Sequence, residues 1–71
     1  MAKLTPSALE DVEKLMDSYG PASLLEAVEE IMQLKAEHLR ENWQEESSAK
    51  VYERGARLVH SAAKKLEDLR I

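Results

Sequence analysis

Two histidines are the residues of this chain best suited to bind a metal ion or to transfer a proton near neutral pH. His38 has no second histidine or carboxylate four residues away on either side, and its nearest acidic neighbour on a helix face is Glu41. Neither Glu-x-x-His nor His-Glu-x-x-His, the usual metal-binding patterns of helices, occurs in the sequence. His60 lies near Arg57 and Lys64, which disfavour a bound cation. We therefore predict that His38 packs at the edge of an apolar face, that His60 is a surface residue, and that no metal or cofactor is bound.

Carboxylates are numerous, but their spacing is that of a solvated helix face. The polar residues of the second predicted helix are Glu26, Glu29, Glu30, Gln33, Glu37, Arg40 and Gln44. Such a face differs from a paired-carboxylate active site, which needs acids in a desolvated cleft. The chain also lacks a glycine-rich phosphate loop and a Gly-x-Ser-x-Gly motif, and Ser7, Ser23 and Ser48 suit helix caps. We predict that the protein is not an enzyme.

The composition predicts one small, all-helical domain over residues 1–71. Hydrophobic residues make up 44% and charged residues 34%, which is too apolar for a disordered tail and too charged for a membrane span. Two glycines, two prolines and few β-branched residues favour helices over strands. The absence of cysteine excludes disulfides and thiolate-bound metals. No signal-peptide pattern or long apolar run is present, so we expect a cytoplasmic protein with no membrane partner.

The first helix is predicted over residues 6–19. Thr5 can cap its N-terminus, and Pro6 suits the first helical position. A narrow apolar stripe follows at helical spacing and consists of Leu9, Val12, Leu15, Met16 and Tyr19. We expect this helix to bury one face only.

The second helix is predicted over residues 23–45, after a break at Gly20 and Pro21 and a capping box that begins at Ser23. Its apolar side chains form two groups, Leu25, Met32, Ala36, Leu39 and Trp43 on one side and Ala27, Ile31 and Leu34 on the other. They cover roughly 200° of the helix, which is wider than the stripe of a typical surface helix. We therefore expect contacts on two sides, one within the chain and one with a second copy.

The stretch "NWQEESSAKVYERG" decides whether the chain folds into a hairpin or continues as one rod. Apolar residues resume at Val51 in a helical phase different from that of the second helix. Residues 23–46 carry two basic and seven acidic side chains, a formal charge of −5, whereas residues 47–71 carry six basic and three acidic ones, a charge of +3. Folding back brings the acidic helix end beside the basic helix start. We predict a turn at the two serines and a third helix over residues 48–70, with a continuous rod as the alternative.

Aromatic and small residues near this turn each admit two interpretations. Trp43 and Tyr52 either plug the end of the hairpin core, which we favour, or form a hot spot for a partner. Gly55 and Ala56 either allow close approach of another helix or, in the case of Gly55, mark a tolerated weak point of the helix.

These patterns predict an all-α protein, a short N-terminal helix followed by a long antiparallel helical hairpin that packs as a homodimeric bundle. The expected role is that of a non-enzymatic protein–protein interaction or assembly module, with a second copy or another protein as partner. The candidate interaction surface comprises Leu25, Met32, Leu39, Trp43, Tyr52, Arg54, Gly55, Ala56, Arg57 and Val59. The alternative is a DNA-associated regulator that uses the basic outer face of the third helix. Acids interrupt that face and fill the second helix, so nucleic acid is the less favoured partner.

Overall fold

The computed structural model describes residues 2–69 of the chain, which form three helices and, within that range, no strand. The first helix, α1, spans Pro6–Tyr19, and the second, α2, spans Pro21–His38. A short π-helix over Leu39–Trp43 continues α2, and the third helix, α3, spans Glu46–Asp68. The all-helical prediction is confirmed. The predicted end of the third helix at residue 70 lies outside the described residues.

The two ends of α1 follow the sequence signals. The Thr5 hydroxyl oxygen accepts a hydrogen bond from the Ala8 N–H at 3.2 Å, and Pro6 occupies the first turn. Gly20 ends the helix with φ of 87°, and its N–H donates to the Met16 carbonyl at 2.8 Å. A positive φ of this kind is one that glycine adopts without steric cost.

The second helix starts two residues earlier than the predicted position 23. Pro21 is already its first residue, and Gly20 is the residue at its N-cap, with no side chain bonded to the helix end. Ser23 therefore lies within the first turn and is not the cap. A proline fits the first helical position because its missing N–H would have no partner there, so α1 and α2 are joined through Gly20 alone.

The helices α2 and α3 form an antiparallel hairpin, and the rod is wrong. Contacts across the hairpin pair Arg40 with Glu53 and, farther from the turn, Glu29 with His60. The line along which the two helices meet, here called the seam, contains the four buried residues Ala36, Ala49, Ala56 and Ala63. Three of these alanines recur every seven residues along α3, which is the repeat of a two-helix coiled coil.

The turn of the hairpin lies before the serines and not at them. Gln44 has left-handed backbone angles, with φ of 52° and ψ of 33°, and the N–H groups of Gln44 and Glu45 both donate to the Leu39 carbonyl. Helix α3 begins at Glu46, so Ser47 and Ser48 lie in its first turn. The predicted turn at these serines and the predicted cap at Ser48 are therefore wrong, as is the continuation of the second helix to residue 45.

Helix α1 projects away from the hairpin. It approaches α2 near the Gly20 corner but does not approach α3. The molecule consequently measures 38 × 30 × 19 Å, and its radius of gyration is 13.8 Å. A compact chain of this length has a radius of gyration of about 11 Å. Among the helices described, none has the length and apolar character needed to cross a membrane.

Candidate interaction surface

Most of the predicted interaction residues lie in the seam between α2 and α3 of the same chain. Ala56 is buried, and the half-buried members of this group are Leu25, Met32, Leu39, Tyr52, Gly55 and Val59. The terminal methyl group of Met32 lies against Gly55, so a Cβ atom at position 55 would overlap it. The small residue therefore accommodates a side chain of its own hairpin. The seam places these residues side by side and leaves each only partly accessible to another molecule.

Trp43 does not plug the end of the hairpin, because 65% of its surface is exposed. Its indole N–H donates to Nε2 of His38 at 3.1 Å. The two residues are five apart, and the wider turn of the π-helix aligns side chains at that spacing. The core-plug interpretation is wrong for Trp43, whereas its predicted partner Tyr52 is half-buried.

His38 is exposed and lies beside Leu39 and Tyr52, and its hydrogen bond from Trp43 defines its tautomer. An indole N–H can only donate, so Nε2 of His38 accepts and the proton of the neutral ring lies on Nδ1. The side-chain amide of Asn42 lies 2.8 Å from Nδ1. The nearer atom of that amide is Nδ2, and a half-turn of the amide would bring its oxygen to the position that accepts the Nδ1–H. Protonation at Nε2 would break the bond from Trp43.

Arg40 joins the two helices at the turn end of the hairpin. Its Nε donates to both carboxylate oxygens of Glu46 at 3.2 and 3.0 Å, and its Nη2 donates to the same group at 3.0 Å. Its Nη1 donates to Glu53, two turns farther along α3. The hydrogen bonds from Arg40 lower the pKa of both carboxyl groups below the ordinary value, and the nearby charge of Lys50 adds to the effect on Glu46.

A second polar contact, between Glu29 and His60, was not predicted. Nδ1 of His60 lies 3.0 Å from Oε1 of Glu29, whose side chain is only 19% exposed. Glu29 was assigned to a solvated face, yet it falls between Leu25 and Met32 in the spacing of four and three residues that defines the seam. That spacing is the sequence signal that places Glu29 in the seam. Nothing in the sequence identified His60 as its partner before the register of the hairpin was known.

Acidic side chains dominate this side of the hairpin, here called the polar flank. It consists of Glu26, Glu29, Glu30, Gln33 and Arg40 of α2 with Glu53, Arg57, His60, Lys64 and Glu67 of α3. Glu26 and Glu67 share a hydrogen bond across the helices, which, with the repulsion between them, raises the pKa of Glu26. Within residues 2–69, no group of three histidine or acidic side chains has an arrangement that could hold a metal ion.

The opposite side of the hairpin, here called the apolar flank, carries large side chains that contact little. Because the polar residues of α2 and α3 meet on one side of the seam, the residues on the other side of both helices share a surface. The apolar flank consists of Leu24, Val28 and Ile31 of α2 with Val51, Leu58, Ala62 and Leu69 of α3. The pairing of Glu29 with His60 places Ile31 and Leu58 at about the same level along the hairpin. Ile31 is 53% exposed and Leu58 73% exposed.

A further apolar surface lies on α1. Of its predicted stripe, Val12 is half-buried, while Leu9, Leu15, Met16 and Tyr19 are exposed. No residue of α1 is buried. The helix therefore has its apolar stripe as predicted but has not covered it within the chain.

The two candidate basic residues of the interaction surface, Arg54 and Arg57, are exposed on α3. Arg57 lies near Glu53 and lowers the pKa of that carboxyl group, after the larger effect of Arg40. Scans against models of protein families and searches of curated proteins and of solved structures find no match to this chain. The chemistry of the two flanks and of α1 is therefore the basis for inferring a function.

Proposed function

We propose that this protein is a small helical assembly module that associates with a second copy of itself through apolar helix faces. The observation that carries the proposal is the contrast between the buried and the exposed residues. The buried hydrophobic residues described are all alanines, whereas Ile31, Leu58 and Leu9 each expose more than half of their surface. Contiguous apolar patches on the surface of a soluble protein mark interaction sites.

The exposed area supports self-association quantitatively. The chain exposes 6027 Å², whereas a compact monomer of 8.1 kDa exposes about 4,500 Å² by the usual scaling with mass. A standard protein–protein interface covers about 800 Å² of each partner. The excess of about 1,500 Å² is therefore enough to supply one such interface with area remaining.

The distribution of charge favours an apolar contact over catalysis or nucleic-acid binding. The polar flank is an open, solvated surface, which lacks the enclosed site that would shift two carboxylates into acid and base roles. The basic residues Arg57 and Lys64 share it with several glutamates, which would repel phosphates. The apolar flank, by contrast, is bordered by the basic side chains Lys35, Arg54 and Lys65.

Sedimentation of two matched variants tests the proposal. Leu58→Glu places a charge on the apolar flank, and Ser61→Glu places the same residue at an exposed site one turn farther along α3. We expect the wild-type chain and Ser61→Glu to sediment as dimers at micromolar concentration, and Leu58→Glu to sediment as a monomer with its helical circular dichroism retained. The proposal fails if the wild-type chain is a monomer up to millimolar concentration and unfolds cooperatively. Binding to duplex DNA that falls steeply with salt would favour the nucleic-acid alternative instead.

A further inference from the structure

We infer that the dimer is an exchanged one, in which α1 of each copy covers the apolar flank of the other copy. The inference rests on the proposed self-association and names the surfaces that meet. Both surfaces are present in one chain, and most of their large apolar side chains are exposed. The question is why they do not cover each other within that chain.

The corner at Gly20 supplies the reason. Helix α1 ends at Tyr19 and α2 begins at Pro21, so a single residue joins them. Helices that pack side by side in a bundle are usually connected by about 2–8 residues, because the chain must reverse and cross the width of a helix. Pro21 also has a fixed φ, which removes the freedom that a longer joint would have. The corner therefore holds α1 away from its own hairpin.

The lengths of the two surfaces match. Helix α1 has 14 residues and is about 21 Å long at 1.5 Å per residue. On α3 the apolar flank extends from Val51 to Leu69, which is about 27 Å. One α1 helix from a second copy can therefore lie along most of the flank, with its stripe against Ile31 and Leu58.

The charges around the two surfaces are complementary. Between Pro6 and Tyr19, α1 carries four acidic side chains and one basic one, Lys14. The basic side chains Lys35, Arg54 and Lys65 border the apolar flank at helical spacing and would lie beside these acids. When each copy places its α1 on the apolar flank of the other, both apolar flanks are covered. The assembly then stops at two copies because no such flank remains exposed.

Lengthening the joint tests the exchange directly. Inserting Gly-Ser-Gly-Ser between Tyr19 and Gly20 gives α1 enough chain to reach its own hairpin, and a lengthened hinge favours the closed monomer over the exchanged dimer. The same four residues inserted after Ala2 serve as the control. We expect the first variant to sediment mainly as a monomer with undiminished helical content and the control to remain dimeric. An unchanged dimer dissociation constant for the first variant would overturn the exchange while leaving self-association intact.

A second pair of variants addresses the stripe of α1 without altering the joint. Leu15→Lys changes the exposed stripe, whereas Ser18→Lys introduces the same charge on the polar side of the same helix. We expect Leu15→Lys to weaken the dimer by at least about tenfold, since a buried leucine contact is lost, and Ser18→Lys to change it by less than about twofold. Equal effects of the two substitutions would overturn the docking of α1. A monomeric wild-type chain would instead refute the proposed function itself.

Discussion

Arg40 is the residue that fixes the turn end of the hairpin, and its carboxylate partners give the fold a dependence on pH. Glu46 and Glu53 have pKa values lowered below 4.5 by their hydrogen bonds to the guanidinium group. A carboxyl group whose pKa is lower in the folded than in the unfolded state stabilises the fold at pH values above its unfolded-state pKa. That stabilisation is lost as the pH falls through its folded-state pKa. The pKa of Glu26 is shifted in the opposite direction, because its contact with Glu67 raises it.

Replacing Arg40 should therefore destabilise the hairpin in a manner that depends on pH. We expect Arg40→Gln to lower the melting temperature at pH 7, and the difference from the wild-type chain to shrink as the pH falls below about 4.5, where the carboxylates become protonated. Thermal melts followed by circular dichroism at pH 7, 5 and 3 measure this. A matched control is Arg54→Gln, which removes an exposed arginine from the outer face of α3. A constant difference at all three pH values would contradict the assignment.

Gly55 provides a second test at the scale of single residues. A Cβ atom at this position would meet the end of the Met32 side chain, which is flexible and can move aside. Alanine is favoured over glycine within a helix by roughly 0.5–1 kcal/mol. We expect Gly55→Ala to raise the free energy of unfolding by about 0.5 kcal/mol, as measured by urea denaturation. Gly55→Leu, which Met32 cannot accommodate in this way, should lower it.

At the scale of helices, the sequence was a good guide wherever a residue type has only one favourable backbone conformation. Thr5 with Pro6 and Gly20 with Pro21 predict the two ends of α1 for this reason. The turn of the hairpin was placed three residues too late. Its central residue, Gln44, is left-handed, a conformation that glutamine seldom adopts, whereas Ser47 and Ser48 resemble a cap but continue the helix.

The candidate surface was predicted less well than the helices. The apolar phase identified which residues of α2 and α3 face another helix, but not whether that helix belongs to the same chain. Leu25 and Met32 proved to face α3, while Ile31 remained exposed. Side-chain pairs such as Glu29 with His60 depend on the register of the hairpin, and the register depends on the turn that was misplaced.

Two glycine substitutions distinguish the observed turn from the predicted one. Replacing a left-handed glutamine with glycine removes roughly 1–2 kcal/mol of unfavourable backbone energy from the folded state. The greater freedom of glycine in the unfolded chain costs roughly 0.5–1 kcal/mol in stability. We expect Gln44→Gly to raise the free energy of unfolding by about 0.5 kcal/mol and Ser47→Gly to lower it by a similar amount. Chemical denaturation of both variants measures the difference. If Ser47→Gly instead raised the free energy of unfolding and Gln44→Gly lowered it, the turn would lie at the serines.

At the scale of the whole molecule, the chain has a shape that a monomer of its size rarely keeps. Its radius of gyration is 13.8 Å, and only alanines are buried among the hydrophobic residues described. Covering the exposed apolar surface by association would therefore add to the stability of the fold. Self-association then raises the stability of the folded chain by mass action.

The melting temperature should consequently depend on protein concentration. For a dimer of this size, a tenfold increase in concentration is expected to raise it by about 4 °C, since mass action contributes about 1.4 kcal/mol per decade. Scanning calorimetry over two decades of concentration measures the shift. Leu58→Glu should melt at a lower temperature that does not change with concentration. A concentration-independent melting temperature for the wild-type chain would indicate a stable monomer.

The half-buried position of Glu29 has a consequence for how α2 and α3 align along their length. A seam of alanines repeating every seven residues is nearly the same after a slip of one repeat, so by itself it selects no unique alignment. A slip of one repeat would place Glu29 opposite Glu53 or Glu67, seven residues before or after His60, where two carboxylates would repel each other. The pair of Glu29 with His60 thus adds, in the middle of the hairpin, to the alignment that the turn and Arg40 set at its end, as a polar residue does in a coiled coil.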